Sequence, residues 1–312
     1  SVVGGGGAVL DHTIDAGSDL RLGDDVSDHT YESDLSIFAS HSSPHRPAID
    51  LLARNEISRW NPNLAPEHEG ETTYESGVHG GSGGVATGSA AMSDATINSD
   101  ASIDVGHKVW MTALDLSGDP AGITLDACND LDYLDHVSLD AGGAGAGTGV
   151  SSWLGHGDEG EATGSTSVRI GDGTFMVASG DVRVGGRTDM DVQLLASSKT
   201  YGLASYTSGS VGANVATDNN VTVGLGAHVW GDEIYLSAGR SSGSPADIAV
   251  SSDLRLFNKA VLPVKHIEAE TEVDRTNMIH LEQGSDLSSL GDTYLSATGG
   301  TVDATAYGIS HD

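Results

Sequence analysis

A four-residue phrase, apolar–any–apolar–Gly, is written five times in this chain. It stands at Leu20-Arg21-Leu22-Gly23, Ile103-Asp104-Val105-Gly106, Val168-Arg169-Ile170-Gly171, Val182-Arg183-Val184-Gly185 and Val221-Thr222-Val223-Gly224. A sixth copy, Leu254-Arg255-Leu256-Phe257, carries Phe where the others carry Gly. Residues of a strand alternate sides, so the two apolar positions point one way together and the residue between them points the other. A strand-then-turn unit repeated along a chain predicts a stack of coils, because one such unit cannot bury its inner face alone. Composition supports a narrow core. Only 5% of residues are aromatic and 43 are Gly, which suits stacked Val, Leu, Ile and Ala better than a thick globular interior.

A second phrase reads polar, apolar, any, apolar, any, then a small residue. Copies occur at Asp34–Ser40, His136–Gly142, Asp191–Ser197, Glu233–Gly239 and Asp292–Thr298. The clearest full unit runs from Asn220 to Gly239. An antiparallel sandwich also has short alternating strands, but its hairpins favour Asn-Gly turns. The chain has no Asn-Gly, and its one Asp-Gly, Asp172-Gly173, lies inside a repeat. The expected class is therefore all-β, a parallel β-helix, with the sandwich as the alternative.

Two stretches break the rhythm, near 41–84 and 142–165. In the first, Ile49, Leu51, Leu52, Ile57 and Trp60 fall on one helical face, which predicts a short helix ended by Asn61-Pro62. The second contains a Gly-Ala-Gly run and is expected to be a loop. Each carries an acidic stretch ending Glu-Gly-Glu: Glu69-Gly70-Glu71 and Glu159-Gly160-Glu161. Insertions at coil corners are where such stacks present binding surfaces. The whole of 1–312 is expected to form one domain. Its ends, Ser1-Val2-Val3 and Ser310-His311-Asp312, lead to the expectation of a segment from a longer chain.

The formal charge is −31, from 45 acidic and 14 basic residues. That excludes a basic nucleic-acid footprint and disfavours anionic membrane surfaces. It suits cation binding and a saline or extracellular setting. Cys128 stands alone, so no internal disulfide framework exists. Beside Asp126, Asn129 and Asp130 it reads as a small buried side chain. No stretch approaches the roughly 18 apolar residues of a membrane span.

The run Asn220-Val221-Thr222-Val223-Gly224-Leu225-Gly226-Ala227 leading to Ile234-Tyr235-Leu236-Ser237-Ala238-Gly239 resembles the repeat of filamentous-haemagglutinin-like adhesins. The resemblance covers 100–110, 166–197 and 218–240 well and the rest loosely. It implies a right-handed parallel β-helix, secretion, cell-surface display and an adhesive or structural role. Asn61-Pro62-Asn63-Leu64 matches a motif of that family's secretion domain, and is also an ordinary turn sequence.

Candidate sites follow from residue type. Asp158, Glu159 and Glu161, with Glu67, Glu69 and Glu71, offer oxygen ligands for calcium, without EF-hand spacing. His68 and His156 lack zinc spacing. Trp153 and Trp60 are the candidate glycan or partner contacts. Arg21, Arg169, Arg183 and Arg255 occupy the outward position of the first phrase, where direct stacking would set like charges together. Neighbouring carboxylates are expected to pair with them. No Gly-x-Ser-x-Gly elbow or phosphate loop appears, so no catalytic residue is nominated. The expected function is an extracellular structural or adhesive protein, associating end to end or laterally with itself and contacting cell-surface glycans. A polysaccharide lyase or hydrolase and a calcium-dependent surface-layer protein remain as alternatives.

Overall fold

The computed structural model describes residues 3–23, 35–40, 47–59, 78–115, 119–155, 160–241 and 244–311. Among them the secondary structure is entirely strand, with no helix. The strands form five successive tiers. The first contains β1 (Val3–Leu22), β2 (Ser36–Ser40), β3 (Ile49–Arg59) and β4 (Val78–Gly83). The second contains β5 (Ala86–Val105), β6 (Trp110–Leu114) and β7 (Ile123–Gly142). The third has β8 (Gly145–Leu154), β9 (Ala162–Ile170), β10 (Phe175–Ala178) and the first half of β11 (Val182–Val223). The rest of β11 opens the fourth, followed by β12 (His228–Gly231), β13 (Ile234–Ala238), β14 (Arg240–Ser241), β15 (Ser244–Pro245) and the start of β16 (Ile248–Leu281). The fifth ends with β17 (Asp286–Ser289), β18 (Thr293–Ala297) and β19 (Val302–His311).

Each tier pairs in parallel with the next. Val3 is the partner of Ala86, and Val182 of Ile234, so the chain makes a whole circuit before it returns to pair with itself. Parallel partners need such crossovers, whereas hairpins join antiparallel ones. A 14-stranded sheet supplies two long walls, and β17-β12-β10-β6-β2 forms a narrow third wall. This parallel all-β arrangement is compatible with a β-solenoid.

The first phrase explains one wall directly. Leu22, Val105, Ile170 and Val223 are consecutive register partners, so four copies stack one per tier. The fifth, at Val182–Gly185, opens the other long wall, between β7 and β13. The repeating unit is therefore longer than the Asn220–Gly239 stretch suggested by sequence. The phrase recurs on two walls, so its spacing along the chain mixes positions within a tier with positions between tiers. After three of the stacked copies the chain turns through a left-handed residue, Lys108 (φ 51°), Gly173 (63°) or Gly226 (62°), and Gly284 (76°) does the same in the fifth tier after Leu281, the partner of Val223. Only Gly takes that region freely, which accounts for the Gly-x-Gly turns at 171–173 and 224–226.

Two expectations need correction. The expected helix is absent over the described residues 49–59: Ile49–Arg59 is β3, paired residue for residue with Ile123–Tyr133. The sequence hid its alternation because Leu52 faces outward, 53% exposed, while polar Asn55 is buried. The expected loop over 142–165 is mostly strand as well, since β8 pairs with Ala86–Ala95 and Ala204–Ala213. Its inward residues are Ala146, Thr148, Val150, Ser152 and Leu154, all buried, and small outward glycines disguised the period. Asn61–Leu64 lies outside the described residues.

The core has two apolar compartments. One lies inside the three walls at the narrow end, around Ile103, Met111, Ile123, Met176 and Val229. The other lies between the long walls, around Ile97, Leu131, Tyr133, Leu154 and Leu194. A buried polar layer separates them. Asn129 donates to the carbonyls of Ser99 and Ser165 and accepts from Asn55 and the Ser99 hydroxyl. Two tiers on, Asn219 accepts from Thr166 and Thr188. Buried amides persist because every partner is supplied.

Candidate functional site

Outward-facing side chains carry whatever this scaffold presents. On the long wall of β11, β13 and β18, three tiers repeat one local device: an acid, an inward residue, then Arg or Tyr. The copies are Asp181-Val182-Arg183, Glu233-Ile234-Tyr235 and Asp292-Thr293-Tyr294. Residues i and i+2 of a strand share a face, so each acid receives a hydrogen bond from its own neighbour. The Arg183 guanidinium donates to Asp181 at 2.7 Å. The Tyr235 hydroxyl donates to Glu233, and Tyr294 donates to Asp292 at 3.0 Å. The bond to Glu233 pushes the Tyr235 phenol up to about 12, and that to Asp292 raises Tyr294 above its ordinary value. Both phenols stay protonated donors at neutral pH.

Parallel register then aligns the three devices. Arg183 pairs with Tyr235, and Tyr235 with Tyr294. The guanidinium carbon sits 4.2 Å from the Tyr235 ring centroid. The two tyrosine rings are 4.8 Å apart and 10° from parallel. Cation–π and aromatic stacking each favour this geometry.

A hairpin walls the other side. In the third tier the chain passes directly from Gly185 through Gly186 and Asp189 to Met190. Their fourth-tier partners are Ser237 for Gly185 and Ile248 for Met190, so the fourth tier spends more chain over the same step. The excess projects as β14 and β15, paired antiparallel through Arg240–Pro245 and Ser241–Ser244. Arg240 also pairs with Gly186. A Cβ on Gly185 would meet the Arg240 carbonyl oxygen at 2.8 Å, so glycine there lets the hairpin lie close. Between hairpin and stack is a groove of about 510 Å³, lined by Thr124, Asp126, Arg183, Tyr235, Arg240 and Tyr294 among others.

The narrow wall carries a second aromatic column. Trp110 and Phe175 stack at 4.5 Å, and Phe175 and His228 at 4.7 Å. Trp110 is 50% and Phe38 61% exposed. Among the described residues the column has no bordering wall comparable to the hairpin.

Of the residues nominated as metal ligands or glycan contacts, the two that are described, Trp153 and Glu161, do not line the groove. Trp153 belongs to β8, and its indole N–H donates to Ser210 at 3.2 Å. Its ring occupies the space a Cβ on Gly212 would need. Glu161 is exposed just before β9. Trp60, Glu67, Glu69, Glu71, Asp158 and Glu159 lie outside the described residues, as do His68 and His156. Among the described residues, no group of three or more His, Cys, Asp or Glu converges as metal ligands. Cys128 is buried. Arg21, Arg183 and Arg255 pair with Asp19, Asp181 and Asp253, as expected for outward arginines. Asp104 stands between Arg21 and Arg169 in the register, so those two do not stack directly. No helix is long and apolar enough to cross a membrane among the described residues.

Comparison with known proteins returned no matching family model, no matching curated protein and no matching solved structure. The likeness to haemagglutinin-like adhesins therefore rests on the repeat phrases alone. The stack itself escaped sequence reading. Its signal is the acid-x-Arg/Tyr triplet, which gains meaning only once the tier spacing is known.

Proposed function

We propose that this chain is a right-handed parallel β-helix that serves outside the cell as a structural and adhesive element, with the groove beside β13 as its docking point. The observation that carries the reading is the groove itself. Its side chains come from successive strands of a continuous hydrogen-bonded wall, so its geometry is preorganised and little ordering cost remains for binding. The strongly acidic composition supports a saline or extracellular setting. Presentation of function by a rigid ladder also suits the pairing of Arg183 with Asp181 at the groove.

The test couples shape to attachment. Beads coated with the chain are counted on a panel of bacterial and eukaryotic cells, and the purified chain is imaged by electron microscopy. Narrow rods are expected. Attachment is expected to fall when Tyr235 and Tyr294 are both changed to Ala. Compact globular particles, or attachment unchanged by that double substitution, would sink the proposal.

A second reading has one observation behind it. Asp181, Glu233 and Asp292 line up beside the groove, and paired carboxylates are what a polysaccharide hydrolase needs. Each already accepts a hydrogen bond from its own neighbour. Release of new reducing ends from polysaccharide, lost in Glu233→Gln, would establish the enzymatic reading instead.

A further inference from the structure

We infer that Tyr235 and Tyr294 are an oxidative cross-linking site, where loss of one electron from each ring joins them as dityrosine and staples the fourth tier to the fifth. The assignment is independent of what docks in the groove.

Register brings the two phenols together. Tyr235 of β13 is the partner of Tyr294 of β18, and neighbouring strands hold such partners about 4.8 Å apart. The rings keep that spacing, 4.8 Å between centroids and 10° from parallel. Of the other described tyrosines, Tyr133, Tyr201, Tyr206 and Tyr307, none has a tyrosine as register partner. Both rings of the pair line the groove, so a small oxidant can reach them.

Each phenol also has its proton acceptor in place. The Tyr235 hydroxyl donates to Glu233, and that of Tyr294 donates to Asp292 at 3.0 Å. A phenol that gives up an electron becomes a strong acid and sheds its proton. Arg183 sharpens this at Tyr235. Its guanidinium carbon lies 4.2 Å from the ring centroid, and a cation there opposes a second positive charge on the ring. Transfer of the proton to the carboxylate two residues back leaves a neutral phenoxyl radical. Until an electron leaves, both phenols stay protonated, because the same hydrogen bonds raise them above their ordinary range.

The step balances with hydrogen peroxide as the oxidant, acting through a haem peroxidase. Each phenoxyl radical carries spin on the ring carbons ortho to oxygen, and two such carbons form one Cε–Cε bond. Each of them then releases its hydrogen as a proton. The carboxylate returns its proton to the phenol oxygen, and both rings are aromatic again. Two electrons and two protons have left the pair, and one peroxide takes them up as two waters. The result is a covalent link between β13 and β18, which backbone pairing alone otherwise joins.

Treatment of the full chain with hydrogen peroxide and a haem peroxidase, and in parallel with a small photo-oxidant, tests this. Dityrosine fluorescence is expected, and peptide mapping is expected to join Tyr235 to Tyr294 with the loss of two hydrogen atoms. The yield per chain should survive dilution, as a link within one molecule must. Tyr235→Phe and Tyr294→Phe are each expected to lose that cross-link while melting as the wild type does. Glu233→Gln combined with Asp292→Asn is expected to slow coupling severalfold under the same supply of oxidant. Recovery of Tyr235 and Tyr294 uncoupled from a folded chain that is oxidised elsewhere, dityrosine mapping chiefly to other tyrosines, or a yield that falls on dilution would overturn the assignment. Coupling as fast in the amide variant as in the wild type would overturn the carboxylates' part in it. If the amide variant does not fold, mapping and dilution of the wild type and the phenylalanine variants still decide.

Discussion

The polar layer between the two core compartments makes a quantitative demand on Asn129. Its side chain, 1% exposed, donates to the Ser99 carbonyl at 3.1 Å and the Ser165 carbonyl at 2.5 Å. It accepts from Asn55 Nδ2 at 3.0 Å and Ser99 Oγ at 3.0 Å. In Asn129→Ala, Asn55 keeps other acceptors, while the Ser99 hydroxyl loses Asn129 Oδ1 as its acceptor. Asn55 still reaches the Asp100 carbonyl at 2.6 Å, and it lies 3.3 Å from Ser99 Oγ. The two carbonyls lose their side-chain donor inside the core. At about 1–3 kcal/mol for each stranded buried group, the expected cost is about 4 kcal/mol. Guanidinium unfolding followed by both tryptophan fluorescence and far-ultraviolet circular dichroism measures it, with the denaturant slope checked for constancy. Asn129→Asp supplies a control of the same shape. At neutral pH its carboxylate points lone pairs at both carbonyls. Protonation restores one donor, so its deficit relative to wild type should shrink in acid. A loss under about 1 kcal/mol for Asn129→Ala, the net worth of one ordinary hydrogen bond, or an Asp variant whose deficit ignores pH, would refute the view that this layer is held by specific hydrogen bonding.

Two other outcomes follow from electrostatics. His136 is 5% exposed, and burial, with His79 beside it at a ring distance of 5.6 Å, pushes its imidazole down to about 4. Above pH 6.5 it is neutral whether folded or unfolded, and its environment costs nothing. As pH falls from 6.5 to about 4 the unfolded chain binds a proton that the fold refuses. The chain should lose about 3 kcal/mol over that window, a loss that His136→Gln removes from the pH–stability profile. On the outer face, burial and the charges of Asp130, Asp191 and Glu56 raise the Asp132 carboxyl above its ordinary range. Asp132→Asn should therefore stabilise by about 0.5 kcal/mol at neutral pH, the scale of a like-charged pair on a sheet. The part of the gain that comes from Asp130, Asp191 and Glu56 should fade in about 1 M salt, where screening shortens to about 3 Å, and the part that comes from burial should survive; no gain at either salt would refute both causes.

The architecture was largely legible because the first phrase is local. Val168-Arg169-Ile170-Gly171 states its inward and outward sides without reference to any other part of the chain, and its Gly announces the turn. β3 was not legible because it serves the polar layer. Burying Asn55 and exposing Leu52 breaks the alternation from which a strand is read, and the apolar residues left over mimic a helical stripe. β8 was obscured differently: Ala146 and Thr148 fill a tight interior where larger residues would advertise the inward face. The groove was the least legible feature. Glu233-Ile234-Tyr235 is unremarkable alone. Its alignment with Asp181-Val182-Arg183 and Asp292-Thr293-Tyr294 depends on how much chain separates each triplet from the next. Those separations are set by the residues spent at corners, which no hydrophobic pattern encodes.

The unequal tiers have a practical meaning. Leu22 is partnered by Val105, Ser36 by Trp110 and Gly83 by Gly142. The stretch of chain between partners shortens from the first of these pairs to the last, and the ladder keeps its register throughout. Chain length between walls is thus independent of pairing within them. Closing a longer connection costs little, since doubling its length adds only about 0.6 kcal/mol. Gly239–Ala246 is a natural instance of such an addition. The corners are accordingly ports for grafting: a peptide epitope or enzyme recognition sequence set there would be carried at fixed positions along the axis, with the lattice of strands beneath it undisturbed.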